Sequence, residues 1–239
     1  MPSQRLNDTL APAKKFDILA MSDEVKDGLM LHAALSNVTM EATNSCKIKT
    51  IHMGPPFGRK TAEFDAVGSC ELTEKQAARI EEFIDRQWAA RKAERERLSK
   101  LGLPQNPIAQ YRIQPPHSRP RKGSALTRYS CVGFVLLAYK RARIELLSGP
   151  SPLKTVEELK DLYPPFFHPI LDDEDKRKDF GLREGDRWPV VLAGYILHAT
   201  NRPLDQVNGT NATPYQPQEG DEYFPRQAPE TPENAAASA

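Results

Sequence analysis

Residues 129–144, YSCVGFVLLAYKRARI, restrict the possible folds of this chain more than any other stretch. At helical spacing Cys131, Phe134, Val135, Ala138 and Ala142 share one face, while Lys140, Arg141 and Arg143 point elsewhere. Such a pattern calls for a helix with its apolar face on a core and its cations in water. Ser130 suits the N-cap and puts Cys131 in the first turn. There the unpaired backbone N–H groups and the positive end of the helix dipole favour a thiolate over a thiol. Cys131 therefore has two readings: a small packed hydrophobe, as free cysteines usually are, or a nucleophile with a lowered pKa.

The core that this helix needs is expected from strands on its N-terminal side. FDILAM (16–21) reads as a short buried strand, followed by a polar turn over 22–28. LMLHAAL (29–35) reads as a second strand, and VTMEA (38–42) as a third that forms an antiparallel hairpin with it. Residues 48–52 suit a fourth. A long helix is expected over 72–101, opened by a Thr73/Gln76 capping box, striped by Ala77, Ile80, Phe83, Ile84 and Trp88, and stopped by Gly102 and Pro104. Its mixed-charge end, 91–100, reads as a solvated face. The Pro-rich basic stretch 104–128 reads as a loop that can wall a cleft beside the cysteine helix. Beyond it, 156–162 suits a short helix, 171–186 an exposed charged segment, and VVLAGYILHA (190–199) a core helix. His198 falls near the end of that helix, where a cation is welcome. The fold class is α+β, a small antiparallel sheet packed against helices. Residues 1–13 read as a disordered arm, 14–200 as the folded domain, and 201–239 as a disordered Pro-rich tail whose composition buries too little apolar surface to offset its ordering entropy.

Composition removes several classes of function. With 33 basic against 32 acidic residues the formal charge is +1, so no field for nucleic acid is present. The sequence contains no run of 18 apolar residues to span a membrane, and the N-terminus lacks the apolar stretch of a secretory signal. Three cysteines without a CxxC pair give neither a disulfide framework nor a metal site. The expectation is a reduced, cytoplasmic protein without cofactor, in which the sequons at Asn37, Asn208 and Asn211 carry no weight. The oligomeric state is not legible.

His32 lies inside an apolar strand, where an unpaired polar group costs about 1–3 kcal/mol. It is either a core histidine bonded to backbone or a general base on a rigid strand. Glu41, on the neighbouring strand, can accept a hydrogen bond from the second ring nitrogen and fix the tautomer.

Four segments in this order resemble the permuted papain-like fold of the NlpC-type peptidases and the YiiX-like and lecithin-retinol-acyltransferase-like hydrolases. FDIL is similar to the family's Gly-Asp-hydrophobic strand, and LHAALSNVTMEA to its histidine strand and the following Ile-polar-Ala strand. LTEKQAARIEEFIDRQ resembles the helix between the halves, and YSCVGFVLLAYKRA the Cys-Ser-Gly-Phe-Val helix. The resemblance covers about residues 15–165 and implies thiol-dependent hydrolysis or acyl transfer on an amide or ester carbonyl, as in a cysteine peptidase-like amidase. Cys131 would attack the carbonyl, His32 would take and return the proton, and Glu41 would hold His32. The Cys131 N–H would face the oxyanion, with Tyr111, Ser130 and Gly133 lining the cleft. A peptide, lipid or other acyl-bearing substrate is implied. Phe16 stands where the family has Gly, and Val132 where it has Ser. The alternative is an inert domain of the same fold that binds a peptide or protein partner in its cleft.

Overall fold

The computed structural model describes residues 4–5, 13–23, 28–37, 47–53, 57–102, 130–148, 155, 158, 172–174 and 190–225. Within them the strands are β1 (Gln4–Arg5), β2 (Ile18–Asp23), β3 (Leu29–Ser36), β4 (Lys47–Met53), β5 (Phe57–Glu63) and β6 (Ala66–Gly68). They form one antiparallel sheet in the order β1-β6-β2-β3-β4-β5. The helices are α1 (Glu74–Lys100), α2 (Cys131–Arg141), α3 (Ala193–Thr200) and α4 (Leu204–Asn208). The architecture is α+β, as the sequence pattern predicts.

The apolar run of β2 is buried on both faces. Ile18 and Ala20 join the main core beneath the helices, while Leu19 joins a smaller cluster with Ala13, Ala34, Phe64 and Val67. Helices α2 and α3 both contact β3, and α1 packs on α2 through Phe83 and Phe134, whose ring centroids are 5.5 Å apart. Helix α1 opens with the expected box: the Gln76 N–H donates to Thr73 Oγ1 and the Thr73 N–H to Gln76 Oε1 (3.3 and 2.9 Å). It ends at Gly102, whose φ of +64° is the left-handed turn that glycine makes at least cost. Its charged end is not wholly solvated. Glu94 and Leu98 are buried, and Trp88, Arg91, Lys92 and Arg95 border a groove of about 530 Å³.

Several sequence expectations need correction. The arm at 1–13 is not uniformly free: Gln4 and Arg5 pair with Val67 and Ala66 of β6, and Ala13 is buried. Nor does the ordered body end at residue 200. Residues 201–225 lie against the domain, with Val207, Asp221 and Glu222 buried. Composition underrated this segment because polar side chains fasten it alongside its few apolar contacts, in which Val207 joins the main core and Tyr215, Tyr223 and Phe224 pack against it. Asn208 Nδ2 donates to the Cys70 carbonyl (2.9 Å), and Gln76 Nε2 donates to Asn208 Oδ1 (2.6 Å). The second half of the supposed turn at 22–28 lies partly outside the described residues, while Ser22 and Asp23 still belong to β2. Strands β5 and β6 were not expected. The third strand at 38–42 lies outside the described residues, as do 104–128 and, apart from Glu158, the helix at 156–162; of 171–186 only 172–174 are described.

Candidate functional site

The pairing of β3 shapes the site. Met21 of β2 opposes His32, but Ser22 opposes Met30, so Leu31 is an extra residue on β3. A bulge of this kind twists a strand and re-aims the side chain next to it. On its other edge, among the described residues, β3 pairs with β4 at Leu35 and Ser36. The start of α2 comes to the same strand at Ala33, whose N–H reaches the Cys131 sulfur.

Helix α2 begins where Ser130 predicts. The Ser130 Oγ accepts the Gly133 N–H at 2.9 Å, and the Ser130 carbonyl accepts the Phe134 N–H at 2.9 Å. Cys131, half-buried, is the first helical residue. Its sulfur is hydrogen-bonded to the His32 side chain and accepts the backbone N–H groups of Ala33 and Val132. Burial pushes this thiol up. The hydrogen bond and charge of His32, with the two backbone donors, outweigh burial and hold it below the ordinary thiol value of 9.0. His32 is half-buried, and its ring stacks on Phe64 with centroids 6.1 Å apart and planes at 24°. Cys70 supplies the contrast within the same chain. It is buried beside Tyr139 and Asp17, and burial drives its thiol up to about 12.

Of the residues singled out from the sequence, Cys131 and His32 meet. Glu41 and Tyr111 lie outside the described residues. Ser130 and Gly133 are joined to each other in the cap of α2. Gly133 is buried, and a Cβ there would stand 3.0 Å from Ser130 Oγ, so its smallness serves the cap. Val132, 1% exposed, packs in the main core. Sequence reading missed Phe64, the Leu31 bulge and the Ala33 N–H, all of which depend on strand pairing.

His198 is engaged elsewhere. Its Nδ1 lies 3.3 Å from Asp221 Oδ1 and its Nε2 3.2 Å from the Tyr223 carbonyl oxygen. Burial lowers its pKa despite Asp221, so the cation expected at this helix end is disfavoured. Among the described residues no cluster of three His, Cys, Asp or Glu is arranged to hold a metal ion, and no helix is long and apolar enough to cross a membrane. No family model, curated protein or solved structure matches the chain.

Proposed function

We propose that this chain is a thiol-dependent hydrolase or acyltransferase of permuted papain type, acting on an amide or ester carbonyl of a peptide, lipid or other acyl-bearing substrate. The observation that carries this reading is the hydrogen bond between Cys131 and His32, two residues about a hundred positions apart, with the thiol pKa displaced downward. A cysteine kept only for packing gains nothing from an imidazole and two N–H groups aimed at its sulfur. Cys70 shows what burial without them does.

The chemistry follows from these groups. His32 takes the Cys131 proton, and the sulfur forms a bond to the carbonyl carbon. The oxyanion that develops lies near the first turn of α2, where the dipole and backbone N–H groups stabilise negative charge. Collapse breaks the bond to the amine or alcohol, which leaves with the proton held on His32. Water, deprotonated by His32, or an acceptor nucleophile then attacks the thioester, and Cys131 departs. Phe64 holds the imidazole ring in place from one face.

Two departures from the family pattern weigh less than the sequence suggests. Val132 is buried in the core, so the missing serine takes nothing from the reacting face. Phe16 replaces a glycine, yet its φ of +71° keeps the left-handed backbone that glycine favours. Its carbonyl accepts the Tyr139 hydroxyl at 2.9 Å, and its N–H donates to the Ser36 carbonyl at 2.7 Å. These bonds pin the strained turn between β3 and α2.

The test is the pH profile of alkylation by iodoacetamide, with a Cys131→Ser variant to subtract the other cysteines. A reactive Cys131 alkylates well below pH 8 and loses that reactivity in His32→Ala. Inert behaviour in both proteins refutes the proposal and leaves a packed thiol. Hydrolysis of activated thioesters and esters by the same variants then separates an enzyme from a binding domain that merely holds a reactive cysteine.

A further inference from the structure

The edge of β3 that receives Cys131 is shared with a segment from the far end of the chain. The Met30 N–H donates to the Glu222 carbonyl at 3.0 Å, and Leu29 bridges Tyr223 in antiparallel fashion. This contact stands one residue before the Leu31 bulge and two before His32. Strap, thiol and β4 thus occupy successive parts of one edge: the strap at 29–30, the sulfur at Ala33, and β4 at 35–36.

The strap is itself firmly anchored. Asp221 Oδ2 accepts the Tyr215 hydroxyl and the Gln218 N–H, both at 2.6 Å, and Asp221 Oδ1 faces His198 at 3.3 Å. Glu222 Oε2 accepts the Gly220 N–H at 3.0 Å. Asp221 and Glu222 are only 7% and 4% exposed. Gly194 of α3 lets this backbone approach. A Cβ at that position would collide with the Asp221 carbonyl oxygen and stand 2.5 Å from the Glu222 carbonyl carbon and oxygen.

We propose that residues 221–223 are a positioning segment of the thiol site: by pairing with Leu29 and Met30 they set the start of β3 and so fix the bulge that turns His32 toward Cys131. The physical reason is that a bulge is held only by the register on either side of it. β2 pairs with β3 on both sides of Leu31, at Met30 and at His32, and a slip of one residue there would move a side chain to the opposite face. The strap bonds a second edge of the same strand and makes that slip cost two backbone contacts. This inference rests on the Cys131–His32 reading above, and its test is arranged so that the two can fail separately.

The test uses the full chain carrying Gly194→Val, which pushes the strap off α3, with Asp221→Ala as a second variant that removes the anchor while leaving the glycine contact. Two quantities are measured in each: hydrogen exchange at the Met30 amide, which reports strap pairing, and the pH profile of Cys131 alkylation by iodoacetamide. In both variants Met30 exchange should speed up, and the alkylation midpoint should rise by about one unit, a tenfold loss of thiolate at neutral pH. A loss of stability that leaves the chain folded would not move that midpoint, so each variant is first shown to be folded at the assay temperature by circular dichroism. Faster Met30 exchange with an unchanged midpoint overturns the positioning role while leaving the thiol site intact, and so does unchanged Met30 exchange in both variants. If Gly194→Val does not fold, the same criteria apply to Asp221→Ala. A wild-type midpoint at the ordinary thiol value, insensitive to His32→Ala, overturns the underlying reading, and the positioning role falls with it.

Discussion

His32 and His198 are both half-buried, each with its ring stacked on an aromatic neighbour, yet they face different partners. His32 faces a thiol. His198 faces a carboxylate oxygen at one nitrogen and a carbonyl oxygen at the other. A neutral imidazole has one donor and one acceptor, so His198 can satisfy only one of these two acceptors unless it is protonated. Burial resists that protonation. His198 is therefore held between two acceptor oxygens, whereas His32 stands opposite a thiol, a group that can give up a proton. On the function proposed above, the partner's ability to exchange a proton, not burial or the strand or helix that carries the ring, would separate a structural from a reactive histidine.

The sharpest way to break this comparison is to remove each ring in turn. His32→Ala should slow turnover of an activated thioester about a hundredfold or more, the usual contribution of a general base, while leaving the unfolding midpoint nearly unchanged. His198→Gln should do the reverse in kind: its effect on turnover, exerted only through the strap, should be about tenfold or less. Equal kinetic losses from the two substitutions would mean that His32 has no special relation to the sulfur.

Next in size is the anchor of the strap. Tyr215→Phe deletes the hydroxyl that donates to Asp221 at 2.6 Å, and a hydrogen bond to a charged group is worth about 1.5–3 kcal/mol. Burial and Asp221 together push the Tyr215 hydroxyl well above its ordinary value of 10.0, as expected for a donor locked onto a carboxylate. Urea unfolding should show the loss. A cost within error of zero would mean that Asp221 is satisfied by Gln218 and His198 alone.

The acid side of the stability curve gives a third test. His198 has a folded pKa below its ordinary 6.5, so the unfolded chain binds the proton more readily. Stability from this group is fully present above pH 6.5 and is lost as pH falls from there toward the folded pKa. The groups facing His198 are Asp221, Glu222, the Tyr223 carbonyl and the Tyr215 ring, and the two carboxylates oppose but do not cancel the effect of burial. The urea midpoint of the wild type should therefore drop between pH 7.5 and 5.5, and the drop should shrink in His198→Gln. A drop of the same size in both proteins would assign the acid sensitivity elsewhere.

What the sequence revealed of this comparison, and what it concealed, follows from the range of the interactions. Cys131, the Ser130 cap and the Thr73/Gln76 box were legible because each is decided within four residues. His32 was legible as an oddity: a polar residue in an apolar strand. Strand β5, FGRKTAE, was not, because its place in the sheet rests on backbone pairing with β4 from Lys47 opposite Glu63 to Met53 opposite Phe57, and backbone pairing leaves no apolar stripe. The Leu31 bulge exists only relative to β2. The strap was read as tail because Asp221 and Asn208 are polar, and only the folded chain shows what they bond. Glu41 stays a sequence-level candidate for holding His32, outside the described residues.

The smallest expected effect compares two helix caps. Thr73 and Ser130 perform the same local task, each accepting the N–H three residues on, at 3.3 and 2.9 Å. Their surroundings differ. Thr73 is exposed, so in Thr73→Ala water can replace the lost oxygen, and the cost should be about 0.5–1 kcal/mol. Gly133 is buried, so in Ser130→Ala its N–H has no water to turn to, and the cost should be about 1–2 kcal/mol. The two also differ in what hangs from the turn. Fraying at α1 touches nothing at the thiol, whereas fraying at α2 loosens the residue that carries the sulfur. Ser130→Ala should therefore raise the alkylation midpoint of Cys131, and Thr73→Ala should leave it where it is. Ser130→Gly, which retains most of the capping preference, should recover part of the stability. Equal costs and equal midpoints in the two alanine variants would mean that the start of α2 is as open to water as the start of α1, and the packed first turn on which the lowered thiol pKa depends would have to be abandoned.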